Sequence, residues 1–311
     1  MTFPRFNLAA FETAHQDARH DMARALDHIC RDTGFLVLEG HGVAPDVIAD
    51  IWQAAEVFFA QNSRAKHAVA PPYQGYPYGY LGPDTEALAR SKGEETPPDL
   101  KESFNGGPIK VPADACADAM GFCYQPTLWP DVPGFRAAWE AYYAAMEDLA
   151  ARVMRAFAVA LALPDDHFDP FIANPISALR ALHYPATLDV PLDKQQRAGA
   201  HTDYGSLTIL LPQPGGAGLQ VQQDGAWVDV PTFEGAFVIN IGDLMARWTA
   251  DRWVSTLHRV VAKPGQPARQ SLAFFHQPDW DAEIVPLDGS NAYPPVRSGP
   301  YLMGKFQATG V

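Results

Sequence analysis

The chain reads as a mainly β fold with flanking helices, an antiparallel sandwich or double-sheet jelly roll buttressed on one face. Short apolar runs at 179–184, 206–211, 219–222, 227–230, 236–241, 256–261 and 270–276 have strand length and strand composition. Pro214-Gly215-Gly216, Asp224-Gly225 and Lys263-Pro264-Gly265 punctuate them as turns. The first half carries helical periodicity instead, so helices precede the strands and pack against them.

Residues 11–30 predict a helix, and Gly34-Phe35-Leu36-Val37-Leu38-Glu39-Gly40 a buried strand between glycines. Asp46 is placed to cap a second helix, with Val47, Ile51, Trp52, Ala55 and Phe59 near helical spacing. Residues 71–107 are rich in Pro, Gly and Tyr and read as irregular. A long helix over 133–163 follows. Phe135, Trp139, Tyr142, Met146, Leu149, Val153 and Phe157 recur every three or four residues, and Pro164 stops it. That stripe predicts packing along the outside of a sheet. With no repeat or linker, 1–311 reads as one domain: a mostly helical framework with N-terminal strands to about 170, a jelly-roll core with the candidate metal site at 178–280, and a C-terminal segment at 281–311.

The 311 residues hold 23 Lys plus Arg against 36 Asp plus Glu, a net charge of −13 that disfavours a nucleic-acid partner. No apolar run approaches the ~18 residues of a membrane span. Residues 1–10 lack a basic-then-apolar leader, so the expected location is cytoplasmic. Cys30, Cys116 and Cys123 are unpatterned and read as free thiols in a reducing compartment. Oligomeric state has no signature.

His201-Thr202-Asp203 is the first chemical signal. With 10 histidines and 36 acidic residues, chance alone supplies a His-x-acid about once. His167-Phe168-Asp169 is such a case, between Pro164 and Pro170, and reads as solvated loop. His201 and Asp203, by contrast, stand at the entry to a strand, where residues two apart share a face. His258, in Ser255-Thr256-Leu257-His258-Arg259-Val260, lies on a remote strand able to fold beside them. Two imidazoles and one carboxylate with positions left open suit Fe(II) oxygen chemistry. The same residues also suit the polar surface of a sheet.

Arg269-Gln270-Ser271 follows His258 after Pro264-Gly265. A plain hairpin there sets His258 opposite Ala273, Val260 opposite Ser271 and Ala262 opposite Arg269, all on one face. Arg269 then stands about four residues deeper, ~13 Å at ~3.3 Å per residue. The gap suits a five-carbon dicarboxylate that chelates a metal at one end and meets the guanidinium at the other, with Ser271 adding a hydrogen bond.

His201-x-Asp203, His258 and Arg269-x-Ser271 together resemble the signature of the Fe(II)/2-oxoglutarate-dependent dioxygenases, in their isopenicillin-N-synthase-like group. The resemblance runs on through Gly34-Phe35, Gly40-His41-Gly42-Val43, Lys101-Glu102-Ser103-Phe104, Leu182-His183-Tyr184-Pro185, Gly218-Leu219-Gln220-Val221 and Asn240-Ile241-Gly242-Asp243. It implies a double-stranded β-helix and Fe(II) held by His201, Asp203 and His258. It further implies 2-oxoglutarate bound by Arg269, Ser271 and Tyr184, O₂ as oxidant, and ascorbate as a candidate stimulant. A small-molecule substrate would be hydroxylated or otherwise oxidised, with release of succinate and CO₂. His41 and Asp243 are implied to be structural. Leu182 departs from the asparagine that many plant members carry there.

The primary substrate is not legible. Candidate pocket residues are Tyr73 to Tyr80, Phe104, Arg247, Trp248, Phe275 and His276. Rival readings are an oxidase independent of 2-oxoglutarate, an ethylene-forming enzyme, and a non-catalytic jelly roll that binds a metabolite.

Overall fold

Helices concentrate early and strands late, as the periodicity predicts. The structure, a computed structural model, describes residues 3–83 and 85–309; the extreme ends of the N-terminal framework and C-terminal segment, and position 84, lie outside it. The framework holds strand β1 (Arg5–Asn7), helices α1 (Leu8–Thr13) and α2 (Gln16–Asp32), strand β2 (Phe35–Glu39), and helices α3 (Pro45–Phe59) and α4 (Ser63–His67). Strands β3 (Gly79–Leu81) and β4 (Glu102–Gly106) and helices α5 (Ala117–Phe122) and α6 (Phe135–Ala160) come next. Then follow β5 (Ala178–Tyr184), β6 (Ala198–His201), β7 (Leu207–Pro212), β8 (Leu219–Gln223), β9 (Ala226–Asp229) and β10 (Phe237–Ile241). Helix α7 (Asp243–Trp248) leads to β11 (His258–Val260) and β12 (Arg269–His276), and β13 (Glu283–Ile284), β14 (Val296–Arg297) and α8 (Ser298–Thr309) close the chain.

An eight-stranded sheet runs β1-β2-β10-β7-β12-β5-β4-β3, and a four-stranded sheet runs β6-β11-β8-β9. They form the two walls of a double-stranded β-helix. Alternation along each strand assigns its faces. Leu36 and Leu38 of β2, Ile239 of β10 and Leu272 and Phe274 of β12 join the core under the helices. Phe35, Val238 and Ala273 of the same strands join the core between the sheets. Burial on both faces is why these strands read as continuous apolar runs.

The predicted stripe of α6 lies wholly in the helix-side core, each member no more than 3% exposed. It packs on α2, α3, β7 and β12, which fixes the large sheet from behind.

Several local expectations are corrected. The first helix is two, because Ala14 and His15 are extended and interrupt it between α1 and α2. Asp46 does not cap α3. Ala44 is the cap and Pro45 the first helical residue, a position that suits proline because its missing N–H has no helical partner. Residues 71–107 contain β3 and β4, which extend the large sheet beyond β5. Their polar residues hid them, yet Glu102 and Asn105 are buried because each meets a partner, Lys66 and His183 for the first, Arg180 for the second.

The hairpin register is wrong. β11 pairs with β6 and β8, whereas β12 pairs with β5 and β7 in the opposite sheet. The chain crosses between sheets after Pro264-Gly265, where Gln266 bridges to Thr187 instead. Arg269 and Ser271 keep the parity of Ala273, so they face the inter-sheet space from the wall opposite His258.

Candidate active site

His201 ends β6 and His258 begins β11, and the two are direct partners in the antiparallel ladder. Their rings stand 4.3 Å apart, centroid to centroid, and Phe35 abuts His258 edge-on at 5.2 Å. Asp203 lies past the strand end, not on it, on the stretch crossing to β7. Two glycines allow that crossing. A Cβ on Gly242 would stand 2.1 Å from the carbonyl oxygen of Gly205, so only bare backbone brings the segment against the start of α7. There the Asp243 amide donates to the Asp203 carbonyl at 2.7 Å and the Leu244 amide to that of Tyr204 at 3.2 Å.

Each ligand atom is oriented by what its other polar atom does. His201 Nδ1 bonds the Gly199 carbonyl at 2.7 Å and His258 Nδ1 the Thr256 carbonyl at 3.1 Å. A carbonyl only accepts, so each Nδ1 donates and each Nε2 is the ring nitrogen left for an ion. Asp203 Oδ2 accepts from Thr208 Oγ1 at 2.5 Å and Asn240 Nδ2 at 2.7 Å, leaving Oδ1 free. That Oδ1 lies 3.8 Å from His201 Nε2 and 3.7 Å from His258 Nε2. Bonds of ~2.1 Å from one ion span such gaps.

Burial, then the neighbouring His258, pushes the His201 imidazole down to about 3, so it is neutral and free to ligate near neutral pH. Burial alone would raise Asp203. The two imidazoles and the bonds from Thr208 and Asn240 prevail, and its carboxyl lies below the usual range. Among the described residues these three form the only group of three or more His, Cys, Asp or Glu able to hold one ion, all within 4.8 Å. The donor set fits Fe(II) with positions left open. His167 is no ligand: its ring packs on Phe168 at 5.0 Å and Asp169 pairs with Arg155, so this segment is less solvated than expected.

Thr208 and Asn240 are the residues that sequence reading missed. Asn240 shares the inward parity of Val238 on β10, and that parity was the available signal. Asn240→Ala is expected to weaken Fe(II) binding about 10- to 100-fold, the usual cost of losing a group that orients a ligand. A Kd for Fe(II) within threefold of wild type would reject that role.

Across the cavity, Arg269 on β12 pairs with Tyr184 on β5, and its guanidinium lies 4.3 Å over the Tyr184 ring. Arg269 is 7% exposed, yet Nε has no hydrogen-bond partner and no carboxylate pairs with the head among the described residues. Ser271 is 2% exposed and opposite Leu182, whose apolar side chain belongs to the inter-sheet core. A buried cation without a counter-charge is costly, so this end of the cavity is built for an anion.

Beside β6, a compensated charge cluster braces the wall. Lys101 meets Glu86 at 2.5 Å, Arg180 meets Glu86 at 3.1 Å, and Asp99 accepts from the Gly199 amide at 2.9 Å. Burial would raise Glu86, but Arg180 and Lys101 overcome it and bring its carboxyl to about 2. Tyr204, next to Asp203, meets Phe306 of α8 at 5.5 Å.

Most candidate substrate residues point elsewhere. Tyr80, Phe104 and Trp248 lie in the helix-side core. Tyr76 and Tyr78 donate to the carbonyls of Pro126 and Cys123, and Tyr73 is exposed. Arg247 bonds the Pro294 carbonyl, and His276 Nδ1 pairs with Ser206. Phe275 alone among them packs on the inter-sheet core. His41 bonds the Gly235 carbonyl and the Val43 amide, and Asp243 meets Ser255 and Lys305.

Residues 175–278 match the 2OG-Fe(II) oxygenase superfamily, and residues 3–132 match a family described as the non-haem dioxygenase in morphine synthesis N-terminal. A validamycin A dioxygenase of Streptomyces hygroscopicus subsp. limoneus is 32% identical over 97% of this chain and 85% of its own length. A homoarginine-6-hydroxylase of Oryza sativa subsp. japonica is 31% identical over 86% of this chain and 80% of its own. A full-length Neurospora crassa protein, solved in complex with alpha-KG and thymine, superposes with a TM-score of 0.84 at 30% identity, over 99% of this chain and 97% of that one. No helix among the described residues is long and apolar enough to cross a membrane.

Proposed function

Because this chain belongs to the 2OG-Fe(II) oxygenase superfamily, and is an Fe(II)/2-oxoglutarate-dependent dioxygenase of small molecules, we propose a division of labour among its site residues. His201, Asp203 and His258 hold Fe(II), which when bound supplies the redox chemistry that couples 2-oxoglutarate decarboxylation to substrate oxidation. Arg269 and Ser271 bind the distal carboxylate of 2-oxoglutarate, and the Tyr184 phenol lies beside it. Thr208 and Asn240 keep Asp203 turned so that one oxygen faces the ion. The inter-sheet core excludes water from the reacting atoms.

The observation that carries this reading is a pair of complementary vacancies in bonding capacity. Three oriented donor atoms converge from one side, and a buried guanidinium without a counter-charge among the described residues faces the same inter-sheet space from the other. A five-carbon keto diacid satisfies both. Hydroxylation is the proposed outcome on the primary substrate. Relatives described as acting on validamycin A and homoarginine differ in substrate, so the family does not specify it.

Fe(II), ascorbate and 2-oxoglutarate without a primary substrate are expected to give slow, iron-dependent succinate. Calorimetry should show one 2-oxoglutarate per iron-loaded chain. Iron binding without any 2-oxoglutarate binding would reject the assignment of Arg269, Ser271 and Tyr184 and favour an oxidase.

A further inference from the structure

A second buried arginine, Arg197, is bonded to the backbone segments that carry Tyr184 and Arg269. Arg197 immediately precedes β6, and its amide donates to the Val260 carbonyl on β11 at 2.9 Å, so it belongs to the four-stranded wall. It is 1% exposed, among the most buried large side chains of the protein. Its Nη2 donates to three carbonyls: Pro185 at 2.9 Å, Gln266 at 3.3 Å and Pro267 at 2.7 Å. Pro185 directly follows Tyr184, and Pro267 stands two residues before Arg269. One guanidinium thus ties together the chain ends that carry Tyr184 and Arg269.

Carbonyl oxygens satisfy hydrogen bonds without neutralising charge. Arg197 Nε has no partner, and no carboxylate pairs with Arg197 among the described residues. The carbonyls of Pro185 and Pro267 that Arg197 grips lie one and two residues from Tyr184 and Arg269, and burial, then the positive charge of Arg269, lowers the Arg197 pKa from its ordinary value. Two buried like charges without an acid are tolerated only where something else supplies the negative charge or where bonds hold them against repulsion. Here the carbonyls hold Arg197 fixed.

We propose that Arg197 is a specificity-determining residue for the co-substrate, supplying a second fixed positive charge that, with Arg269, makes the cavity demand a distal carboxylate. This rests on the reading of Arg269 above and adds to it a residue from the other sheet. Arg197 acts on the carboxylate through the field and through the positions of Tyr184 and Arg269, and its effect therefore depends on the charge at the far end of the ligand.

The test compares 2-oxoglutarate with 2-oxopentanoate, which has the same length but no distal carboxylate, by calorimetry on Fe(II)-loaded protein without oxygen. Wild type should prefer the diacid strongly. In Arg197→Met, 2-oxoglutarate affinity should fall about tenfold or more while 2-oxopentanoate affinity changes by less than about threefold, the pattern of a lost charge interaction. Arg197→Lys keeps the charge but only part of the carbonyl clamp. It should retain most of the preference, and it decides the matter by itself should the Met variant not fold. Equal losses for both ligands in Arg197→Met, or loss of the preference in Arg197→Lys, would overturn the proposal. Failure of wild type to bind 2-oxoglutarate at all would instead reject the co-substrate reading on which it rests.

Discussion

His258→Ala is expected to lose both tightly bound iron and succinate formation while keeping the fold. The imidazole is one of only three donors, and its Nε2 faces Asp203 Oδ1 at 3.7 Å with the opposite nitrogen held by Thr256. The described residues contain no other group of three or more ligating side chains. Removal should lower turnover by about a thousandfold or more, the scale seen when one member of an interdependent catalytic unit is deleted. The structural cost is smaller. The backbone of His258 stays paired with His201 and Val221, and the side chain gives up its edge contact with Phe35. That loss should fall within about 0.5–3 kcal/mol. Iron stoichiometry, succinate yield and Tm check the three parts separately. A variant that keeps one Fe(II) per chain and more than a tenth of turnover would remove His258 from the ligand set.

Arg269→Met should move co-substrate affinity and apoprotein stability in opposite directions. Truncating one partner of a buried charge pair costs about 2–5 kcal/mol, or roughly 30- to 4,000-fold in Kd for 2-oxoglutarate. Without ligand the same arginine is a buried cation whose Nε has no partner, stacked on Tyr184 and free of any carboxylate among the described residues. Methionine has similar length and no charge to desolvate. The apoprotein should therefore gain about 1–2 kcal/mol and melt several degrees higher. Saturating 2-oxoglutarate should raise the Tm of wild type but hardly that of the variant. A variant that is less stable without ligand would mean that the guanidinium has a structural role in the folded protein rather than one in binding an anion.

The two predictions share a cause. The cavity is assembled from groups that fold at some expense, a buried donor set at one end and, among the described residues, a cation without a counter-charge at the other. Ligands that carry charge into it restore the balance. Arg197 extends that logic, since one nitrogen bonds three carbonyls and, among the described residues, no carboxylate offsets its charge.

Helix and strand identities were legible because they follow from local spacing. The three-and-four stripe of α6 needs only a row of neighbours to bury, and its members do bury in one core. The His-x-Asp pair, the distant histidine and the Arg-x-Ser pair were legible as residue types, since few side chains can ligate iron or grip a carboxylate. The inward parity of Arg269 was read correctly from a hairpin that does not exist. Period two survives any choice of partner strand, so the face was right while the wall was wrong.

What stayed invisible depends on partners distant in the chain. A Pro-Gly turn announces a reversal but not which strand receives the chain, and here it leads to β5 and β7 rather than back along β11. Asn240 meets Asp203 across 37 positions, and Arg197 meets Pro267 across 70. Glu102 and Asn105 look like surface residues until Lys66, His183 and Arg180 close around them. Local sequence thus settled the long helix, the late strands and most of the chemical inventory, because steric periodicity and donor type are properties of single residues and their neighbours. Which nitrogen carries a proton, which oxygen is free and which cation lacks a counter-charge were settled only by tertiary structure, because each depends on which groups are brought together once water is excluded.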